Sequence, residues 1–162
     1  MKFTKSKVID APIDRVWKVV AHEFERVGEW SSAVAASSAH TDVAVPDGAT
    51  VGGRVCATPG FGDLTEAFIS YSEDDKEFVF EVEGMPSFVT LARNHTTVRP
   101  AGPDRSEVQL EVTIETNAVG KLMGPMFAIK LKSTLNTFLD ELAAYVKTGE
   151  VSRKKTKQLA KA

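Results

Sequence analysis

Two adjoining stretches decide the fold: residues 106–116, SEVQLEVTIET, and residues 120–147, GKLMGPMFAIKLKSTLNTFLDELAAYVK. In the first, Val108, Leu110, Val112 and Ile114 alternate with Gln109, Glu111, Thr113 and Glu115. That is the period of a strand with one apolar and one polar face. In the second, Met123, Phe127, Leu131, Leu135, Phe138, Leu142 and Val146 recur at steps of three or four, the period of a helix with one apolar stripe. Lys130, Lys132, Asn136, Asp140 and Lys147 fall away from it. Such a helix spans about 40 Å at 1.5 Å per residue, enough to cross a whole sheet. Gly124-Pro125 should kink it or start its regular part, and Thr148-Gly149 should end it. A sheet with one apolar face needs covering on that side, and the helix is the cover.

Upstream, Phe78, Phe80 and Val82 repeat the alternation against Val79, Glu81 and Glu83. Strands are expected at about 34–42, 51–58, 63–72, 77–83, 88–99 and 106–116. They are split by Pro46-Asp47-Gly48, Pro59-Gly60-Phe61-Gly62, Glu73-Asp74-Asp75-Lys76, Gly84-Met85-Pro86 and Pro100-Ala101-Gly102-Pro103. Connections this short join antiparallel neighbours. A first strand runs from Phe3 to Asp10. Pro12 then suits the first turn of a helix, where its missing N–H would be unpaired anyway, and Ile13, Val16, Trp17 and Val20 give that helix an apolar face. A second short helix or turn follows around Phe24–Trp30. The order β-α-α-β6-α, with seven antiparallel strands and one long helix, defines an α+β domain.

Composition sets the outer limits. With 162 residues, 43% hydrophobic, 26% charged and net charge −2, the chain is expected to form one globular domain. Nothing in that balance points to nucleic acid. The +5 of the last twelve residues (Arg153, Lys154, Lys155, Lys157 and Lys161, with no acid) leaves a net −7 on the first 150. The organisation is therefore a domain over 1–149 and a basic tail over 150–162, read as a solvated end able to make weak contact with a membrane surface. One cysteine, Cys56, cannot make an internal disulfide. No signal peptide and no stretch of transmembrane length is visible, so the expected location is cytoplasmic.

Several local features resemble the START-like or SRPBCC superfamily, specifically its bacterial polyketide cyclase/dehydrase-type branch. These are Ala11-Pro12 with Val16-Trp17, then Trp30, Val51-Gly52-Gly53-Arg54, Glu66, Tyr71-Ser72-Glu73-Asp74, and Pro100 before the last strand. The resemblance runs over about residues 3–147. It implies a helix-grip fold, a curved seven-stranded sheet wrapped around the C-terminal helix with a cavity between them. Members bind lipids, sterols, polyketides, hormones or quinones, and a minority catalyse cyclisation or dehydration. Fold alone does not choose among these.

No catalytic signature is present, and His22, His40 and His95 are scattered. No metal and no cofactor is expected. Arg54 and Glu66, on consecutive strands, can pair across the sheet. Inside an apolar cavity they would orient a carbonyl, carboxylate or hydroxyl, and Glu66 could serve as general acid or base. Asn94 and Thr96 share a face with Val98 and should point inward, leaving Arg93 and His95 outside. Trp30, Phe61, Phe68, Phe80, Phe88, Met123, Met126 and Phe127 are the candidate apolar lining, and Trp17 is assigned to packing. The leading reading is a non-catalytic carrier or sensor of a small hydrophobic ligand (lipid, polyketide, quinone or aromatic), acting as monomer or homodimer. The alternatives are a cyclase/dehydratase-type enzyme using Glu66 and Arg54, and a protein-interaction or chaperone-like module.

Overall fold

Each alternating segment becomes a strand that buries its apolar set on one side. In β7 (Ser106–Thr116), Val108, Leu110, Val112 and Ile114 are buried while the residues between them are more exposed. β5 (Glu77–Glu83) buries Phe78 and Phe80 on the same side. With β1 (Lys2–Ile9), β2 (Ala36–Ala39), β3 (Gly53–Thr58), β4 (Gly62–Ser72) and β6 (Val89–Pro100), they form one seven-stranded sheet in the order β1-β7-β6-β5-β4-β3-β2. Every neighbouring pair is antiparallel. The structure, a computed structural model, describes residues 1–162 apart from the side chain of Met123.

α2 (Ala118–Thr148) supplies the cover. The Asn117 side chain caps it, accepting from the amides of Val119 (3.0 Å) and Gly120 (3.2 Å). Gly149, at φ 72°, closes it with a bond to the Tyr145 carbonyl. Leu135, Leu142 and Val146 are buried against the sheet, and Phe127, Leu131 and Phe138 are half-buried beside them. The expected kink or late start at Gly124-Pro125 is replaced by one continuous helix. Pro125 frees only the Lys121 carbonyl, and both residues are exposed, so water can take that bond.

Three further expectations change. The segment after Pro12 is α-helical only over Ile13–Trp17 (α1), then widens to a π turn over Lys18–His22. Val19, Val20 and Ala21 are all buried, three in a row, which one face of a regular helix does not accommodate. Glu23 leaves the helical region (φ −106°, ψ 33°), and Phe24–Glu29 continues as a 3-10 turn. β2 is only four residues long, a short edge of the kind that resists further pairing. β3 starts at Gly53 rather than 51, because residues 51–53 pass against other backbone. A Cβ on Gly52 would stand 2.4 Å from the Ala44 carbonyl oxygen, and one on Gly53 2.2 Å from that of Glu66.

The basic tail is not a solvated extension. Ser152 caps α3 (Arg153–Leu159), and Lys155 is fully buried. Its ammonium donates to the carbonyls of Val34 (2.7 Å) and Ala35 (3.2 Å) and to Gln158 Oε1 (2.9 Å). Glu141 on α2 accepts from the Ser152 hydroxyl (2.6 Å) and the Ser32 amide (2.8 Å), so α3, α2 and the loop before β2 are tied at one place. A buried lysine demands such acceptors, and carbonyls near the sheet edge provide them.

Candidate functional site

Between the concave face of the sheet and α2 lies a cavity of about 240 Å³. β7 contributes Leu110, Val112 and Ile114; β5 contributes Phe78, Phe80 and Val82; α2 contributes Phe127, Leu131, Leu135 and Phe138. Phe24, Val27 and Trp30 close one end. Scaled from a 150 Å³ apolar cavity that holds benzene, this volume accommodates about ten heavy atoms.

Few polar groups face this space. Arg54 and Glu66 stand directly opposite each other in the β3–β4 register. Arg54 Nε donates to Glu66 Oε2 at 2.5 Å, with the side chains 9% and 13% exposed. Arg54 Nη1 donates to the Phe24 carbonyl (2.9 Å), and the guanidinium lies 3.9 Å from the Phe24 ring centroid. Among the described residues, Arg54 Nη2 and Glu66 Oε1 have no hydrogen-bond partner, and both side chains line the cavity. Across the sheet, Thr96 donates to Asn94 Oδ1 (3.2 Å), and both residues line the same space. At the other end Phe61 meets Phe127 edge-on at 6.4 Å, and Lys130 Nζ sits 5.3 Å from the Phe61 ring.

Seven of the eleven expected ligand-facing residues, Trp30, Arg54, Glu66, Phe80, Asn94, Thr96 and Phe127, line the cavity, and Phe61 joins them. Three do not. Phe68 is covered by Phe24, ring to ring at 4.4 Å, so Phe24 takes the lining position. Phe88 buttresses Phe127 from outside, against the start of α2. Met126 is 70% exposed on the outward face of the helix. The side chain of Met123 lies outside the described residues. Lys130, expected to fall away, instead borders the mouth. Leu110, Val112, Ile114, Leu131, Leu135 and Phe138 were visible as inward residues from periodicity, but nothing marked them as lining rather than solid core. Phe24 carried no signal, since a 3-10 turn has no sequence period of its own length.

Cys56 shares β3 with Arg54 but brings no nucleophile. Burial pushes its thiol up to about 12, against the opposing pull of Arg54. Among the described residues no group of three metal-ligating side chains gathers. His95 lies on the outer face by Glu77, and Arg93 pairs there with Glu81 at 2.6 Å.

A second polar centre sits outside the cavity, around Glu73. Its carboxylate accepts from Trp17 Nε1 (2.8 Å), the Tyr71 hydroxyl (2.9 Å) and Lys76 Nζ (2.7 Å), with His22 Nε2 at 3.0 Å. Burial alone would push the Glu73 carboxyl up. The bonds from Lys76, Trp17, His22 and Tyr71 outweigh it and hold it at about 2. Tyr71 is displaced upward, by burial first and then by Glu73. Trp17 is thus buried packing with one specific bond.

A curved antiparallel sheet gripping a long C-terminal helix, with a mostly apolar cavity and one buried ion pair between them, defines a helix-grip protein. The family model described as "Polyketide cyclase / dehydrase and lipid transport" matches residues 1–147, and the chain belongs to that family. A START superfamily protein from Mycobacterium smegmatis superposes with TM-score 0.74 at 16% identity, over 92% of this chain and 99% of that one. A norcoclaurine synthase from Thalictrum flavum gives 0.65 at 16%, over 92% and 95%. The di-domain ARO/CYC protein BexL gives 0.66 at 13%, over 90% of this chain and 47% of that one. These likenesses show the shared fold. A search of curated proteins returns no match.

Proposed function

We propose that the protein holds a small apolar molecule carrying one hydroxyl group, as a carrier or sensor, with the hydroxyl at the Arg54–Glu66 pair. The observation behind this reading is the pair's unused valence. Glu66 Oε1 is a free acceptor and Arg54 Nη2 a free donor, in a cavity otherwise lined mainly by hydrocarbon. A hydroxyl donates and accepts at once, so it satisfies both atoms. A carboxylate would bring a second negative charge to a pair that is already neutral. A ligand with the hydroxyl makes two bonds there that one lacking it cannot, and this favours the hydroxyl-bearing ligand.

The test is calorimetric titration with 2-naphthol and with 2-methylnaphthalene, which match in size. Binding of the naphthol at least tenfold tighter, with the difference abolished by Glu66→Gln, is the expected result. Equal affinity for both probes, or no binding of either, refutes the reading.

A second reading uses the same free oxygen. Glu66, whose side chain lines the cavity, would act through Oε1 as a general base in a cyclase/dehydratase-type reaction on a polyketide-like substrate, with Arg54 orienting a carbonyl. In that case Glu66→Gln abolishes turnover of a poly-β-ketone substrate while its binding is kept. Loss of binding alone favours the carrier.

A further inference from the structure

The outward face of α2 carries large apolar side chains that nothing covers. Val119 is 62% exposed, Leu122 87%, Met126 70% and Ile129 72%. At about 100° per residue these four fall within one quarter of the helix circumference, away from the Phe127, Leu131, Leu135 and Phe138 face that lines the cavity. Scattered apolar residues need no explanation, but a contiguous row of this kind marks a contact surface.

Charge identifies what it contacts. Residues 118–139 contain Lys121, Lys130 and Lys132 and no acid, in a chain whose net charge is −2. By the same helical geometry Lys130 flanks the apolar row on one side, and Lys121 and Lys132 flank it on the other. Among the described residues none of the three makes an ion pair, while Lys130 and Lys132 carry their ammonium groups over the Phe61 ring (5.3 Å) and the Phe3 ring (5.4 Å). Two copies meeting here would oppose lysine rows. They would also share only a few hundred Å² each, roughly, against the ~800 Å² per partner of a standard interface. An apolar stripe between lysines fits the boundary between acyl chains and negatively charged headgroups.

We propose that the first half of α2 docks on anionic lipid bilayers, with Val119, Leu122, Met126 and Ile129 entering the headgroup boundary and the three lysines meeting lipid phosphates. Lys130, at the edge of the row, also borders the cavity, so docking sets that edge of the cavity beside the membrane surface. A carrier would load or discharge there. The surface itself is independent of what the cavity holds.

Flotation of the full chain with vesicles tests it, using phosphatidylcholine alone and phosphatidylcholine mixed with phosphatidylglycerol. Binding is expected only to the anionic vesicles and should fall as salt rises. Leu122→Ser with Ile129→Ser should weaken it about 100-fold, since these side chains, 87% and 72% exposed, are largely free to leave water for the boundary. Lys121→Glu with Lys132→Glu should weaken it by a similar factor. All four positions are exposed, and unchanged circular dichroism confirms the fold. The proposal is overturned by failure to float, by equal binding to neutral vesicles, or by a loss on reversing Lys154 and Lys157 in α3 that the α2 variants do not reproduce. It is equally overturned if the protein is a dimer that Leu122→Ser with Ile129→Ser converts to monomer.

Discussion

Replacing the buried ion pair one partner at a time should cost far more than replacing both. Arg54 and Glu66 are nearly out of water, 2.5 Å apart, and Arg54 also holds the Phe24 carbonyl at 2.9 Å. Glu66→Leu leaves a guanidinium in hydrocarbon with a single carbonyl partner, which costs about 3–5 kcal/mol. Arg54→Met strands the carboxylate at a similar cost, and it removes the donor of Phe24 and the cation above its ring, adding about 1–2 kcal/mol. The double variant strands no charge and keeps only that last loss, so it should sit within about 2 kcal/mol of the native protein. The coupling is therefore expected at about 4 kcal/mol or more. Urea unfolding of all four proteins at constant m-value measures it. For a chain of this size each single variant should lower Tm by roughly 10 °C or more, and the double by half that or less. Single losses that simply add in the double variant would show the two side chains to be uncoupled, and the account of the cavity's polar end would be wrong.

Other perturbations address different parts of the fold. Glu73 has its carboxyl held at about 2 rather than 4.5, so its contribution is complete above pH 4.5 and fades as pH falls toward 2. With a third of the side chain exposed, screening reduces that contribution to about 1–2 kcal/mol, and Glu73→Gln should flatten this part of the stability–pH curve. If the native and variant curves keep a constant separation between pH 2 and 6, the cluster around Glu73 is not the cause. Cys56, buried with its thiol at about 12, should resist a thiol reagent at pH 8 in the native protein and react at once in urea. Fast native labelling would show that β3 opens. Lys155→Met should raise amide exchange across residues 31–35 about thirtyfold, the equivalent of ~2 kcal/mol for carbonyls that lose their donor, while β6 and β7 stay unchanged. A uniform rise over the whole chain would contradict a local latch.

The elements that declared themselves in the sequence are those whose packing is one-sided and repetitive. β7 and β5 alternate cleanly because one face is core and the other is wet, and α2 repeats at three and four because a single stripe meets the sheet. Arg54 and Glu66 could be paired in advance, since a short turn fixes antiparallel register and brings the two opposite each other. What could not be read depends on contacts between distant segments. Phe24 covers Phe68 because a π turn and a 3-10 turn lower it onto the sheet, and neither has a distinctive pattern. The four partners of Glu73 come from α1, the π turn, β4 and the turn between β4 and β5. Lys155 looked like one more surface charge, because a run of lysines carries no mark of the single one that finds buried carbonyls.

Those hidden contacts place the rigidity of the molecule around its cavity. Glu73 ties α1 and the π turn to the β4–β5 corner, fixing the segment that leads to Phe24. Lys155 and Glu141 fix residues 32–35, next to Trp30 and within the cavity wall. Among the described residues, the far end, where Phe61, Phe127 and Lys130 meet, has no comparable buried network. Its contacts are two edge-on aromatic pairs and one cation over a ring, each worth about 1 kcal/mol. Opening is therefore cheapest at that end, beside the exposed row of α2. A molecule entering there would pass its apolar body over Phe127 and reach the Arg54–Glu66 pair last. A ligand with its hydroxyl at one tip can satisfy that pair, and one with its polar group in the middle cannot.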